Sequence, residues 1–166
     1  ATGMTENPWT AGPAILWAPA FFLAHAISVL LNNLGTPVPT NGVSFIYDFF
    51  IVYSSMIYGA IGMLFIYFFL RSFFTPLQSL LALLFYFYAS PLIFYEFYEP
   101  TMSHIPTVFA ASGFIYFWHK SWLKKTLKDW VVLGIWGGLI MLIRPQDVFF
   151  LFFAVAAEMF FLFRQK

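Results

Sequence analysis

The 166 residues carry a net charge of +1, 61% hydrophobic side chains, only 9% charged ones and no cysteine. Soluble domains average about 25% charged residues, so this chain has too few to cover a water-facing surface, and lipid is its expected solvent. The small net charge gives no basis for binding nucleic acid. The absence of cysteine excludes disulfides, Cys-based zinc sites and thiol nucleophiles.

A transmembrane helix needs about 20 mostly apolar residues. Six runs approach or reach that length: 13–33, 44–70, 77–95, 105–119, 130–143 and 148–163. All are apolar around the whole helix rather than along one stripe, which excludes a soluble amphipathic helix. The expected fold is all-α, a polytopic transmembrane helical bundle forming a single membrane domain over residues 1–166. Residues 1–9 contain no Lys or Arg and so lack the basic start of a secretory signal. The chain reads as an internal fragment of a larger protein.

Pro13 and Pro19 interrupt the first run, and His25 sits within it. That run either spans the bilayer, giving six spans, or lies in the interface, giving about five spans plus an interfacial N-terminal helix. Residues 34–42 form a Gly/Pro/Asn turn. Thr75-Pro76 supplies a helix cap and first-turn residue. Residues 120–128 form a basic loop before Asp129, which is expected to cap the next helix. Arg144-Pro145-Gln146-Asp147 is a tight polar turn. Two small-residue pairs, Gly134 with Gly138 and Ser55 with Gly59, have the spacing that lets helices approach closely.

Alternating spans place Lys120, Lys124, Lys125, Lys128, Arg71, Arg164 and Lys166 on one side and leave Arg144 alone on the other. Cytoplasmic loops are enriched in Lys and Arg, so the seven face inward. The outer face then gathers the 35–42 turn, the polar stretch 95–104 and the 144–147 turn.

Candidate functional residues lie on that face: Glu96, Glu99, Ser103, His104, Arg144 and Asp147, with Asp48 near the start of the second span. Glu96 and Glu99 are three apart, which on a helical turn puts them on one side. Paired carboxylates can serve as acid and base, hold a divalent metal or orient a hydroxyl; plain interfacial solvation is the alternative. Ser103 is placed to cap a helix, and His104 to hydrogen-bond a phosphate or a sugar hydroxyl. Arg144 suits phosphate because its planar fork binds two oxygens at once; anchoring to lipid headgroups is the alternative. Asp147 either pairs with Arg144 or caps the last helix. Glu158, inside the last run, lies near the inner boundary or meets a helix beyond this sequence. His119 reads as interfacial. There is no H-E-x-x-H, P-loop or G-x-G-x-x-G motif, and metal dependence stays open.

Three segments resemble a known group. The run Ala11-Gly12-Pro13-Ala14-Ile15-Leu16-Trp17-Ala18-Pro19-Ala20-Phe21-Phe22-Leu23-Ala24-His25 resembles the GPALLW-PFF segment of bacterial polytopic GT-C-type glycosyltransferases, relatives of the protein O-mannosyltransferase and aminoarabinose transferase families. Glu99-Pro100-Thr101-Met102-Ser103-His104 resembles their EP-MSH motif. Residues 137–147, ending Arg144-Pro145-Gln146-Asp147, resemble their GL-x-LVRPQN segment, with Asp147 where Asn or a similar polar residue is expected.

The resemblance implies transfer of a sugar from a polyprenyl-phosphate donor to an acceptor at the outer face of the bacterial inner membrane. It implies that residues 13–33 lie along the interface. It gives Arg144 the donor phosphate and Glu99 and His104 the wall of the sugar or acceptor pocket. It also puts the catalytic base, an acidic residue, upstream of Ala1, so this fragment is expected to be inactive alone. Two other readings stay open: part of a transporter or flippase, whose mark would be mid-bilayer charge and broken helices, and a non-catalytic membrane subunit.

Overall fold

The computed structural model describes residues 10–122 and 124–164, and among these every regular element is helical. The helices are α1 (Ala11–Asn33), α2 (Phe45–Leu70), α3 (Pro76–Ala89), α4 (Leu92–Phe97), α5 (His104–Lys120), α6 (Leu127–Ile143) and, after a 3-10 turn over Pro145–Val148, α7 (Phe149–Arg164). α1, α2 and the segment Pro145–Arg164 are each long and apolar enough to cross a membrane. α7 buries only Ala154 within the chain and exposes Phe152, Phe153, Phe160 and Phe163. Such a surface is stable in lipid, and the helices form an all-α polytopic membrane bundle.

The bundle is held by α2, α5 and α6. One face of α2 is lined by Ser55, Gly59 and Gly62, all buried, at helical i, i+4, i+7 spacing. Each takes a different neighbour. Ser55 accepts a hydrogen bond from Trp17 of α1, Gly59 lies under Glu96 of α4, and Gly62 lies against the backbone of Phe109 in α5. α5 and α6 then share an apolar core of Ala110, Ala111, Phe114, Leu133, Ile140 and Ile143, reached by Ala154 of α7. Gly113 gives space to the Trp136 ring, which stacks with Phe117 and meets Phe65 edge-on.

α2 and α5 run parallel, with Gly62 beside Phe109 and Phe65 beside Tyr116 and Phe117. This register sets His104 level with α2 at about residue 57, leaving roughly 18 Å of α2 beyond the start of α5 at about 1.5 Å per residue. α1 packs antiparallel along that protruding half: Trp17 meets Ser55, Tyr58 donates to the Leu16 carbonyl (2.9 Å), and His25 bonds the Tyr47 hydroxyl (2.6 Å). α1 touches the α5–α6 core through its first turns, at Gly12 and Leu16. It therefore runs past the end of the α5–α6 pair rather than down its length. Pro19 does not break it; the helix is continuous through that residue. A Schellman cap closes it, with Thr36 N–H on the Leu31 carbonyl, Gly35 N–H on that of Asn32, and Gly35 at φ +87°.

Several sequence expectations change. The 77–95 run is two helices, not one span. Ser90 precedes Pro91 and takes the extended conformation (φ −115°, ψ 165°) that proline imposes on its neighbour, so α3 stops at Ala89. Gly134 and Gly138 form no close contact with a helix among the described residues, since a Cβ at either position meets nothing there within 4 Å. Asp129 is not the cap of α6: Thr126 is, and Asp129 at the third position closes a capping box with it. The Thr75-Pro76 start of α3 does form the expected cap, closed by Gln78. Glu158 pairs with Lys125, whose side chain is only 5% exposed.

The two ends of the bundle differ. At one end lie Arg71, the 120–128 lysines and the end of α7, linked by His119 against Phe73 and Trp122 against Phe161. At the other lie the start of α5, the end of α6 and the start of α1. Here Gly12 touches backbone directly, because a Cβ on it would fall 2.4 Å from Ile143 N. Gly12→Ala should therefore push α1 off α6 and destabilise the protein by about 1–3 kcal/mol, as overpacking does. Gly138→Ala should be neutral or slightly stabilising, since the methyl enters open space. Thermal unfolding of both variants in detergent micelles checks the contrast; equal midpoints would contradict the α1–α6 contact.

Candidate functional site

The site is built where α5 begins and α6 ends. Pro145 forces Arg144 out of helical geometry, to φ −148° and ψ 105°, so α6 stops and the Arg144 side chain is directed across to α5. There Arg144 Nη1 lies 3.1 Å from His104 Nδ1. Guanidinium has no acceptor, so the imidazole nitrogen accepts. His104 is therefore neutral, with its proton on Nε2. Its ring stacks on Tyr95, the centroids 3.9 Å apart. Burial lowers the His104 pKa, the Arg144 charge lowers it further, and the Asp147 and Glu99 carboxylates oppose both.

A second bridge lies one turn along α5. Thr107 donates its hydroxyl to Asp147 Oδ2 at 3.2 Å, and the same oxygen stands 3.9 Å from Arg144 Nε. The Gln146 side-chain oxygen, assigned by its surroundings, accepts from Arg144 Nε and Nη2 at 3.0 and 3.1 Å. Of the five guanidinium N–H donors, three are thus engaged and two have no partner among the described residues. The Arg144 side chain keeps 30% exposure.

Beside this cluster is a cavity of about 650 Å³ between the start of α1 and the turn before α5, lined among others by Thr10, Trp17, Thr101, Met102 and Ser103. Thr10 donates its hydroxyl to the Ile143 carbonyl, closing one end of the cavity against α6. Ser103 occupies the cap position of α5 but makes no capping hydrogen bond.

The structure thus brings His104, Arg144 and Asp147 together, sets Ser103 at the cavity and keeps Glu99 close enough to act on His104. It separates Glu96 from Glu99: the carboxyl of Glu96 turns onto Gly59, where a Cβ would overlap it. The expected same-side carboxylate pair does not form, because α4 ends at Phe97 and Glu99 belongs to the following turn. Asp48 is exposed in the first turn of α2, on the protruding half and away from Arg144. Tyr95, Thr107, Gln146, Thr10 and Trp17 complete the site and were not singled out from sequence. Thr107, three residues after His104 on α5, was the accessible signal. Among the described residues no three His, Asp or Glu side chains are grouped to hold a metal ion.

Two measurements follow. Nitrogen NMR of the membrane-inserted protein should show His104 neutral and Nε2-protonated at neutral pH, and Arg144→Gln should raise its pKa; a protonated Nδ1 would contradict the geometry. Glu96 is 8% exposed, and desolvation alone pushes its carboxyl up to about 7. A carboxyl raised in the folded state binds its proton more tightly there, so folding stability falls as pH rises from the ordinary carboxylate range to about 7 and stays low above it. Glu96→Gln should therefore unfold at a higher temperature than wild type near pH 8 and at the same temperature near pH 4. A pH-independent offset would contradict the buried carboxyl.

No curated protein and no solved structure matches this chain. The family model for dolichyl-phosphate-mannose-protein mannosyltransferases matches residues 45–166, from the start of α2 onward and including the His104–Arg144 cluster. The chain therefore belongs to the dolichyl-phosphate-mannose-protein mannosyltransferase family of GT-C-type membrane glycosyltransferases.

Proposed function

We propose that the chain is part of an integral-membrane enzyme that moves a sugar from a polyprenyl-phosphate donor to an acceptor at the outer membrane face. The observation that carries this reading is Arg144: a half-buried guanidinium, fixed by His104 and Gln146, with two N–H donors that no described residue engages. The matched family is named for a lipid-linked sugar donor, which supports the substrate class. The basic end of the bundle then faces the cytoplasm and the Arg144 end the outside, in line with the positive-inside bias. In a bacterium this would be the inner membrane.

In the reaction, an acceptor oxygen attacks the anomeric carbon while the bond from that carbon to the phosphate oxygen breaks. A direct displacement inverts the anomeric centre. The acceptor proton goes to a base, which is assigned to none of the described residues. The donor phosphate passes from a singly charged diester to a polyprenyl monophosphate carrying additional negative charge. Arg144 is placed to stabilise that developing charge. Neutral His104 leaves the positive charge on Arg144 undivided and offers an Nε2–H donor. Glu99 and Asp147 hold the balance of charge around the pair.

The break between α3 and α4 is a feature that a transporter would use, but Glu96, on Gly59, lies within one turn of the level of His104 rather than at mid-bilayer. Family membership and the fixed Arg144 favour transfer. In the full-length protein, Arg144→Ala should lower sugar transfer from a polyprenyl-phosphate donor by about 10²–10³-fold, the cost of losing one transition-state charge stabiliser. Arg144→Lys should restore only part, because a point charge does not reproduce the fork. Radiolabelled sugar transfer in membranes checks this, and unchanged turnover in Arg144→Ala would remove the phosphate role.

A further inference from the structure

Trp17 stands out among the described residues around the cavity. Its indole N–H donates to Ser55 Oγ at 2.7 Å, and Ser55 is fully buried on α2. One residue earlier, the Leu16 carbonyl accepts the Tyr58 hydroxyl at 2.9 Å. Two bonds between helices thus fix the turn of α1 that carries the indole. With its only polar atom engaged by α2, the indole can offer the cavity only its apolar ring surface.

The surroundings are those of a neutral, hydroxyl-rich ligand. Thr10, Thr101 and Ser103 bring hydroxyls, Pro13, Met102 and Trp17 bring apolar surface, and none of the described lining residues is charged. A sugar ring has the matching chemistry, a rim of hydroxyls and a face of C–H bonds. The volume, about 650 Å³, lies within the usual range for small-molecule sites.

The location fits as well. Ser103 immediately precedes His104, and Thr10 is bonded to Ile143, which immediately precedes Arg144. The described lining thus comes within one residue of His104 along the chain and, through the Thr10 bond to Ile143, close to Arg144, although neither side chain lines the cavity. A phosphate held by Arg144 would place the sugar, one bridging oxygen away, at the mouth of this space.

We propose that the cavity between the start of α1 and the 101–103 turn is the sugar subsite of the donor, with Trp17 as its stacking wall. This rests on the donor reading given above and deepens it. It also gives α1, which lies outside the family match, a direct part in substrate selection. An isoprenoid tail in the same cavity would be served equally well by any apolar side chain. A sugar face needs a flat, fixed ring.

The test compares two lipids that differ only by the sugar. The full chain in lipid nanodiscs is titrated with dolichyl-phosphate mannose and dolichyl phosphate in competition, and both bound species are read by native mass spectrometry. Wild type should prefer the sugar-bearing lipid. Trp17→Leu should reduce that preference by about threefold to tenfold, the range expected for loss of an aromatic stacking contact. It should leave dolichyl phosphate binding unchanged, and Trp17→Phe should retain most of the preference. The ratio is read within one sample and does not depend on the fraction of folded protein. An unchanged preference in Trp17→Leu, or equal weakening of both lipids, would overturn the subsite while leaving the phosphate role of Arg144 intact. Failure of wild type to bind either lipid would overturn the donor reading and the subsite together.

Discussion

Close approach along one face of α2 is the constraint on which the rest of this structure depends. In lipid, apolar side chains gain little by leaving the solvent, so helices associate through tight packing and polar contacts between them. Ser55, Gly59 and Gly62 remove bulk from a single stripe of a 26-residue helix. α1, α4 and α5 each come close at one of the three positions. A larger residue at Gly62 would press on the α5 backbone, and the register of α5 decides where His104 stands. The placement of the polar cluster is thus set at a glycine some distance from it.

Arg144 and His104 meet because two chain breaks coincide. Pro145 ends α6, and the turn after Glu99 starts α5, at the same level of the bundle. Each break frees a polar side chain at a helix end, where backbone groups also lack partners. The contacts of Arg144 with Gln146 and of Asp147 with Thr107 tie the α6–α7 turn to α5. An arginine held in this way has already lost most of its rotamer freedom, so less entropy remains to be lost when it takes an anion. The opposite end is built differently. There Lys125 and Glu158 neutralise each other beneath Trp118 and Trp130, and Lys120, Lys124 and Lys128 surround a separate, smaller pocket.

Much of the site was legible where local sequence controls it. The Arg144-Pro145 pair reads as a helix end and Thr75-Pro76 as a helix start, and both are so used here. The motif 99–104 and the turn 144–147 could be assigned to one end of the molecule by counting charged residues alone. Glu96 and Glu99 show the limit. Their spacing suits a shared helical face, but α4 ends between them, and the free space at Gly59 draws Glu96 toward α2. Gly134 and Gly138 fail for the complementary reason: the spacing that permits close packing does not supply a partner helix.

By itself the sequence determined the solvent, the helical class, most helix boundaries and the charge difference between the two ends. Each follows from short-range chemistry: apolar run length, proline and capping residues, and the distribution of lysine and arginine. Only the tertiary structure decided which of the small residues on α2 and α6 meet a neighbour. It likewise decided that α1 folds along the protruding half of α2, that the 77–95 run divides, and that Trp17 faces the cavity beside Arg144. Those outcomes depend on helix register, and register is fixed by contacts between residues about 40 or more positions apart, such as Trp17 with Ser55, His104 with Arg144 and Gly62 with Phe109.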